Sequence, residues 1–288
     1  MPEANIARPE FVSERLETAF GVVEKPLTPW ERLYNLGWVR KSLLIVGLAV
    51  IWQLYALKLD NSLLFPQFTS TVAALWEAIV SGALLGKAWH SIKVLLMGYT
   101  LGLALATLLT VLAISSRLGT DLLETLTAMF NPLPAIALLP LALIWFGLGN
   151  ASMVFVLVHS VLWAVALNTH SGFLAVSNTL RMTGRNYGLR GLPYVAKILI
   201  PAAFPSILAG LKIGWAFAWR TLIAAELVFG VNSGSGGLGW FIYERKNMLD
   251  IPAVFAGLFT VILIGLTVEN LIFRNIEACT VRKWGMQH

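Results

Sequence analysis

Few residues of this 288-residue chain are able to do chemistry, and those few sit in apolar surroundings. Arg220 and Glu226 lie six residues apart in one apolar stretch, beside Trp219. His159 and Asn168, with His170, fall in another. A charge at the centre of a bilayer costs about 2.5–3.5 kcal/mol on insertion scales, so such a side chain faces a cavity or a partner. Six residues turn a helix through roughly 600°, so Arg220 and Glu226 leave from different faces and are no simple intrahelical pair. Two readings of Arg220 stay open. It attracts an anionic solute, or it pairs with Glu226 or Glu269 across to another span. Trp219, His159 and Asn168 are candidate pathway residues; the plainer reading of each is packing or a hydrogen bond to a neighbouring helix. Lys212 is expected to snorkel to the surface.

Other chemistries are excluded. No His-x-x-x-His with a nearby acid occurs, so no metal site is expected. Cys279 is the only cysteine and cannot form a disulfide within the chain. No Gly-x-x-x-x-Gly-Lys-Ser/Thr is present, and the cluster Gly234, Gly236, Gly237 and Gly239 has no following Lys. The chain is therefore expected to bind no ATP, no metal and no cofactor of its own, and to be no enzyme.

These residues must be positioned inside a membrane. Hydrophobic residues make up 57% of the chain and charged ones only 12%, where a soluble domain is about one-quarter charged. The apolar residues fall in blocks of roughly 18–25, the length of a membrane-crossing helix, and period-two alternation is absent. The expectation is an all-α integral membrane protein with six transmembrane helices. The spans are placed at about 42–59, 88–115, 122–146, 151–175, 204–231 and 251–273. Pro132, Pro134 and Pro140 interrupt the third as helix kinks, read either as a static bend or as a bend that differs between states. A short helix after Phe65-Pro66 is expected on the membrane surface, with Ser70 as its N-cap and Gly82 as its stop.

Basic residues are sorted by loop. Fourteen Lys and Arg fall in residues 1–41, the second-to-third loop, the fourth-to-fifth loop and the tail; four fall in the other loops. That bias puts both termini in the cytoplasm and makes the net charge of +6 a membrane pattern, with no nucleic-acid partner expected. Residues 1–41 contain no early apolar region, so insertion is expected to use the first span. Within them, Thr28-Pro29-Trp30-Glu31 reads as a helix start, with Trp30, Leu33, Tyr34 and Trp38 against lipid headgroups as an interfacial elbow.

The connection 176–201 is the longest inner loop and holds four cations and no acid. A helix over Leu189–Ile200 is expected there, an apolar knob with a cationic rim. It would meet a cytoplasmic partner or anionic membrane lipid.

The spacing of this loop resembles the signature of binding-protein-dependent ATP-binding-cassette importer permeases: Glu-Ala-Ala, three residues, Gly, nine residues, Ile-x-Leu-Pro. Here Gly188 is the glycine, and Ile198-Leu199-Ile200-Pro201 follows at the matching distance. Met182-Thr183-Gly184 stands where the family has Glu-Ala-Ala, and Ile200 where it has Leu. Pro132 to Pro140, Ile144 to Gly149, Leu211 to Gly214, Leu222 to Leu227 and Gly236 to Gly239 are similar to the nitrate/sulfonate/taurine branch. The match runs in order over about 64–273.

The resemblance implies a type I importer permease in the plasma (inner) membrane of a bacterium. It divides the chain into a cytoplasmic tail (1–41), a first span (42–59), an outer segment with a surface helix (60–87), a five-helix core (88–273) and a second tail (274–288). It implies a homodimer around a central pathway, lined in part by the fifth span. Two cytoplasmic subunits would bind ATP and Mg and dock on a coupling helix. Met182, Thr183, Gly184, Gly188, Arg190, Gly191, Ile198 and Pro201 are its candidate coupling residues. A periplasmic or extracellular solute-binding protein would deliver a small anion such as a sulfonate, taurine or nitrate. Arg220 stands where related permeases carry a small or apolar residue. The alternative is a secondary transporter without a separate ATPase; it would need its own coupling-ion site, and neither internal repeats nor clustered intramembrane acids are seen.

Overall fold

In the computed structural model the described residues are 31, 34–229 and 236–285, and every regular element among them is helical. The start of the expected elbow, Thr28 to Trp30, and Leu33 lie outside the described residues. Tyr34 and Trp38 are described and exposed, and Arg40 places its guanidinium 5.8 Å from the Tyr34 ring centre.

The chain divides into two units, 1–51 and 52–288, taken separately here. The first contains the start of helix α1 (Gly37–Leu59), where Leu43, Leu44, Ile45 and Leu48 are all exposed. A helix apolar on every side has no aqueous face, and it is suited to lipid.

The second unit continues with α2 (Phe68–Val80), α3 (Ala83–Ser115), α4 (Arg117–Phe130), a 3-10 turn (Ala135–Leu138) running into α5 (Leu139–Phe146), and α6 (Asn150–Leu174). Then come α7 (Asn178–Asn186), α8 (Gly191–Tyr194), a π turn at Val195–Leu199, and α9 (Ile200–Phe229). Last are α10 (Leu238–Asn247), α11 (Ile251–Thr267) and a helical continuation to Arg282. Counting α1, five helices are long and apolar enough to cross a membrane, and α4 with the 3-10 turn and α5 forms a pair bent by 86° that makes a sixth if the pair is one span.

Several boundaries differ from expectation. Helix α3 begins at Ala83 rather than Ala88, and the last span continues past Phe273 to Arg282. Polar residues end a membrane crossing, but they do not end a helix. The surface helix starts after Gln67, and Ser70 lies inside its first turn with its hydroxyl donating to the Gln67 carbonyl. The third span is two helices. Pro132 and Pro134 lie in the break, where Leu133 N–H donates to Phe130 O and Ala137 N–H to Pro134 O. Pro140 lies in the first turn of α5, where a missing N–H costs nothing.

The core is built around α6. A Cβ on Gly102 of α3 would meet Val161 at 2.8 Å, and one on Gly210 of α9 would meet Asn168 at 2.8 Å. Small residues let the three backbones approach, the usual means of packing helices in lipid, where burial of apolar area supplies no drive. Leu157, Val161 and Ala166 of α6 are completely buried as a result.

Candidate functional site

The 176–201 connection is folded. Ser177 caps α7 by accepting the Leu180 N–H at 3.4 Å, and Arg181 ties α7 to the end of α6 through the carbonyls of Val176 and Phe173. The C-terminus of α7 closes with Leu189 N–H on Gly184 O at 3.1 Å and Gly188 N–H on Arg185 O at 2.9 Å. This double closure needs a left-handed residue at its centre, and Gly188 supplies it with φ +73°. Gly191 is left-handed too, at φ +59°. The helix expected over Leu189–Ile200 is present from Gly191, as α8 and the π turn running into α9, while Leu189 and Arg190 lie in the turn; a separate exposed helix, Asn178–Asn186, precedes it.

Gly184 is buried against the second arm of the loop. A Cβ there would meet Ile198 at 2.9 Å and the Tyr194 ring at 3.0 Å, so the glycine in place of alanine lets the two arms close. Met182 is 57% exposed and Tyr187 82%, with Arg185 and Arg190 exposed around them. The apolar knob and its cationic rim belong to α7 and its turn. Pro201 has no N–H to return to Lys197. Just before it the ladder widens, with Ile200 N–H bonding back to Val195 O, and the second arm runs unbroken into α9.

At the other end of α9, Glu226 is 2% exposed and its carboxylate is held by two donors. Ser91 of α3 donates to it, with its Oγ 2.7 and 2.8 Å from the two oxygens. Gly239 N–H donates to Oε2 at 2.8 Å, and Leu238 N–H donates to Ser91 Oγ at 2.8 Å. Glu226 thus caps the N-terminus of α10 from a neighbouring helix, where the dipole favours an anion. A Cβ on Gly237 would lie 2.1 Å from Glu226 Oε1 and 2.2 Å from Ser91 Oγ, so only glycine fits.

Arg220 lies elsewhere. It lines a cavity of about 360 Å³ with His159, Ser160, Trp163, Phe217, Thr221 and the break residues 131–136. Its Nε donates to Ala216 O in its own helix at 3.0 Å, and its guanidinium sits 5.2 Å from the Phe217 ring centre. Among the described residues no carboxylate pairs with it. The buried nitrogens of His159 and Nε1 of Trp163 also lack a partner. Trp163 stacks on Phe130 at 5.5 Å, so the cavity has an aromatic wall and a set of unused donors.

Residues 98–277 match the family described as the binding-protein-dependent transport system inner membrane component. The chain belongs to this family. It is 33% identical over 225 residues to a Methanocaldococcus jannaschii protein named as an ABC transporter permease, covering 77% of this chain and 83% of that one. It is 29% identical to an Escherichia coli protein named as an aliphatic-sulfonate transport permease, over 76% and 82% of the two chains. A nitrate import permease of Synechocystis is 26% identical over 85% and 90%. The chain is thus a multi-pass inner-membrane ABC importer permease of the nitrate/sulfonate/taurine type.

Within this permease the other singled-out residues make packing contacts. Trp219 is buried and donates to Val261 O at 3.2 Å, joining α9 to α11. Asn168 donates to Ala164 O of its own helix at 2.7 Å. Neither lines the Arg220 cavity. Lys212 reaches Glu277 Oε2 at 2.7 Å and Glu269 Oε1 at 3.7 Å, so it is paired rather than snorkelling. Sequence reasoning missed Glu277 because residues after 273 were assigned to a tail. It also missed Ser91, whose only signal is a small polar residue in an apolar helix.

Proposed function

We propose that this permease forms, with a second copy, the translocation pathway for a small anion such as a sulfonate, taurine or nitrate. Both termini and the 176–201 connection lie in the cytoplasm, where two ATPase subunits bind ATP and Mg and dock on α7 and its turn. An external binding protein delivers the solute. ATP-driven closure of the ATPase pair moves α7, and through Arg181 moves the end of α6.

The observation that carries this reading is the Gly188 closure of α7. It holds Met182, Thr183, Arg185 and Tyr187 out as a rigid, cation-rimmed knob joined directly to two spans, the form of a helix made for a groove. Met182 in place of the family's Glu makes that contact apolar rather than ionic. The anion assignment rests on Arg220, unpaired in a cavity walled by the broken third span. The relatives named for sulfonate, taurine and nitrate agree with it.

Gly188→Val tests the docking assignment. A β-branched residue in left-handed geometry costs roughly 1–2 kcal/mol and opens the turn. The variant should insert and reach wild-type levels, but transport and solute-stimulated ATP hydrolysis by the assembled complex should both fall at least tenfold. Full coupled activity in that complex would refute the assignment of the loop.

A further inference from the structure

A second cavity, of about 710 Å³, opens where α3 and α6 end, apart from the Arg220 cavity and sharing Arg185 with the rim of the α7 knob. Three cations line it: Arg117 from the start of α4, and Arg181 and Arg185 from α7. No acidic residue lines it. Among the described residues neither Arg117 nor Arg185 forms an ion pair. Arg181 spends Nε and one terminal nitrogen on backbone carbonyls, and its other terminal nitrogen is unspent. Tyr194 also lines the cavity, and its buried hydroxyl has no partner among the described residues.

One wall is apolar, formed by Val111, Ile114, Phe173 and Leu199, and Ser115, Ser116, Thr120 and His170 also line the cavity. Leu174, on the rim, is 62% exposed, so that wall continues onto the outside of the bundle. The cavity therefore lies at the level where the spans meet headgroups, with guanidinium groups at one side and a hydrocarbon surface at the other. Guanidinium forks match phosphate oxygens geometrically. A free anion would use the cations and leave the apolar wall bare. A neutral lipid would use the wall and leave three guanidinium groups uncompensated.

We propose that this cavity binds one anionic phospholipid, with its phosphodiester on Arg117, Arg185 and the Tyr194 hydroxyl and an acyl chain along Val111, Ile114 and Phe173. Because α4, α6, α7 and the second arm of the loop all contribute, the bound lipid braces the base of α7. The site does not depend on which solute is carried. Basic pockets between helices at a membrane surface are a recurring form of headgroup recognition.

The test is native mass spectrometry of the purified full-length chain, titrated in separate arms with dioleoyl phosphatidylglycerol, dioleoyl phosphatidylcholine and inorganic phosphate. Phosphatidylglycerol should give one retained adduct, and the other two none at the same concentration. The Arg117→Ala, Arg185→Ala double variant should bind phosphatidylglycerol about 30-fold more weakly. The Arg117→Lys, Arg185→Lys variant, which keeps the charges, should largely restore it and guards against loss through misfolding. Equal phosphatidylglycerol retention by wild type and the Ala variant overturns the site. Inorganic phosphate binding as tightly as phosphatidylglycerol overturns the lipid and assigns a free anion.

Discussion

Arg220 and Glu226 sit on one helix less than two turns apart, and the fold treats them in opposite ways. Glu226 is buried with both oxygens engaged by Ser91 and Gly239. Arg220 faces a cavity with unspent donors and is paired with no described carboxylate. Buried charge is tolerated where hydrogen bonds engage it, and Glu226 receives the Ser91 hydroxyl from α3 and the Gly239 N–H from α10. Arg220 spends Nε on its own helix and rests on the Phe217 ring, which leaves its terminal nitrogens facing the cavity. The contrast separates a charge that holds the fold from one left free for a ligand.

The largest effect should come from breaking the satisfied member. Glu226→Ala strands the Ser91 O–H and the Gly239 N–H in a buried site, where each unsatisfied group costs roughly 1–3 kcal/mol. We expect a fall of several degrees in the thermal midpoint of the purified permease and poor assembly. Gly237→Ala should do the same, because its Cβ has no space beside the carboxylate. Normal midpoints in both would show that the cluster carries no stability.

Arg220→Ala should have little effect on the midpoint and a large effect on transport, at least tenfold for an anionic solute. The double replacement of Arg220 and Glu226 sharpens the comparison. If the two charges are independent, the stability change of the double variant should equal that of Glu226→Ala within about 0.5 kcal/mol of additivity. Recovery of stability in the double variant would instead mean that the two charges pair.

The smallest effect concerns Lys212. Its pair with Glu277 is partly exposed on both sides, so solvent screens it. Lys212→Met should cost about 1 kcal/mol or less, and high salt should shrink the difference. A loss as large as that of Glu226→Ala would make this pair a second anchor of the fold.

The spans were legible because hydropathy reports the bilayer, and about 20 apolar residues are needed to cross it. Helix ends were less legible, since α3 and the last span continue as helix into polar sequence. In the 176–201 connection the expected helix is present from Gly191 and continues into α9, whereas α7 was not expected; its signals, Ser177 as a cap and Gly188 as the closing residue, bracket Asn178–Asn186. The different faces of Arg220 and Glu226 followed from helical periodicity alone. Ser91 did not, because it lies 135 residues from Glu226 and only the assembled bundle brings them together.

The bend in the third span has an electrical consequence. Where a membrane potential is negative inside, carrying a unit negative charge inward costs about 2.3 kcal/mol per 100 mV across the whole insulating layer. A break that turns a span by 86° and opens a cavity beside the middle of α6 makes that layer thinner at one place. For the anion proposed to rest against Arg220, part of the voltage drop would then already be crossed in that pocket. The fixed guanidinium offsets part of the remainder, and dependence of uptake on membrane potential becomes a property set by the two prolines of the break.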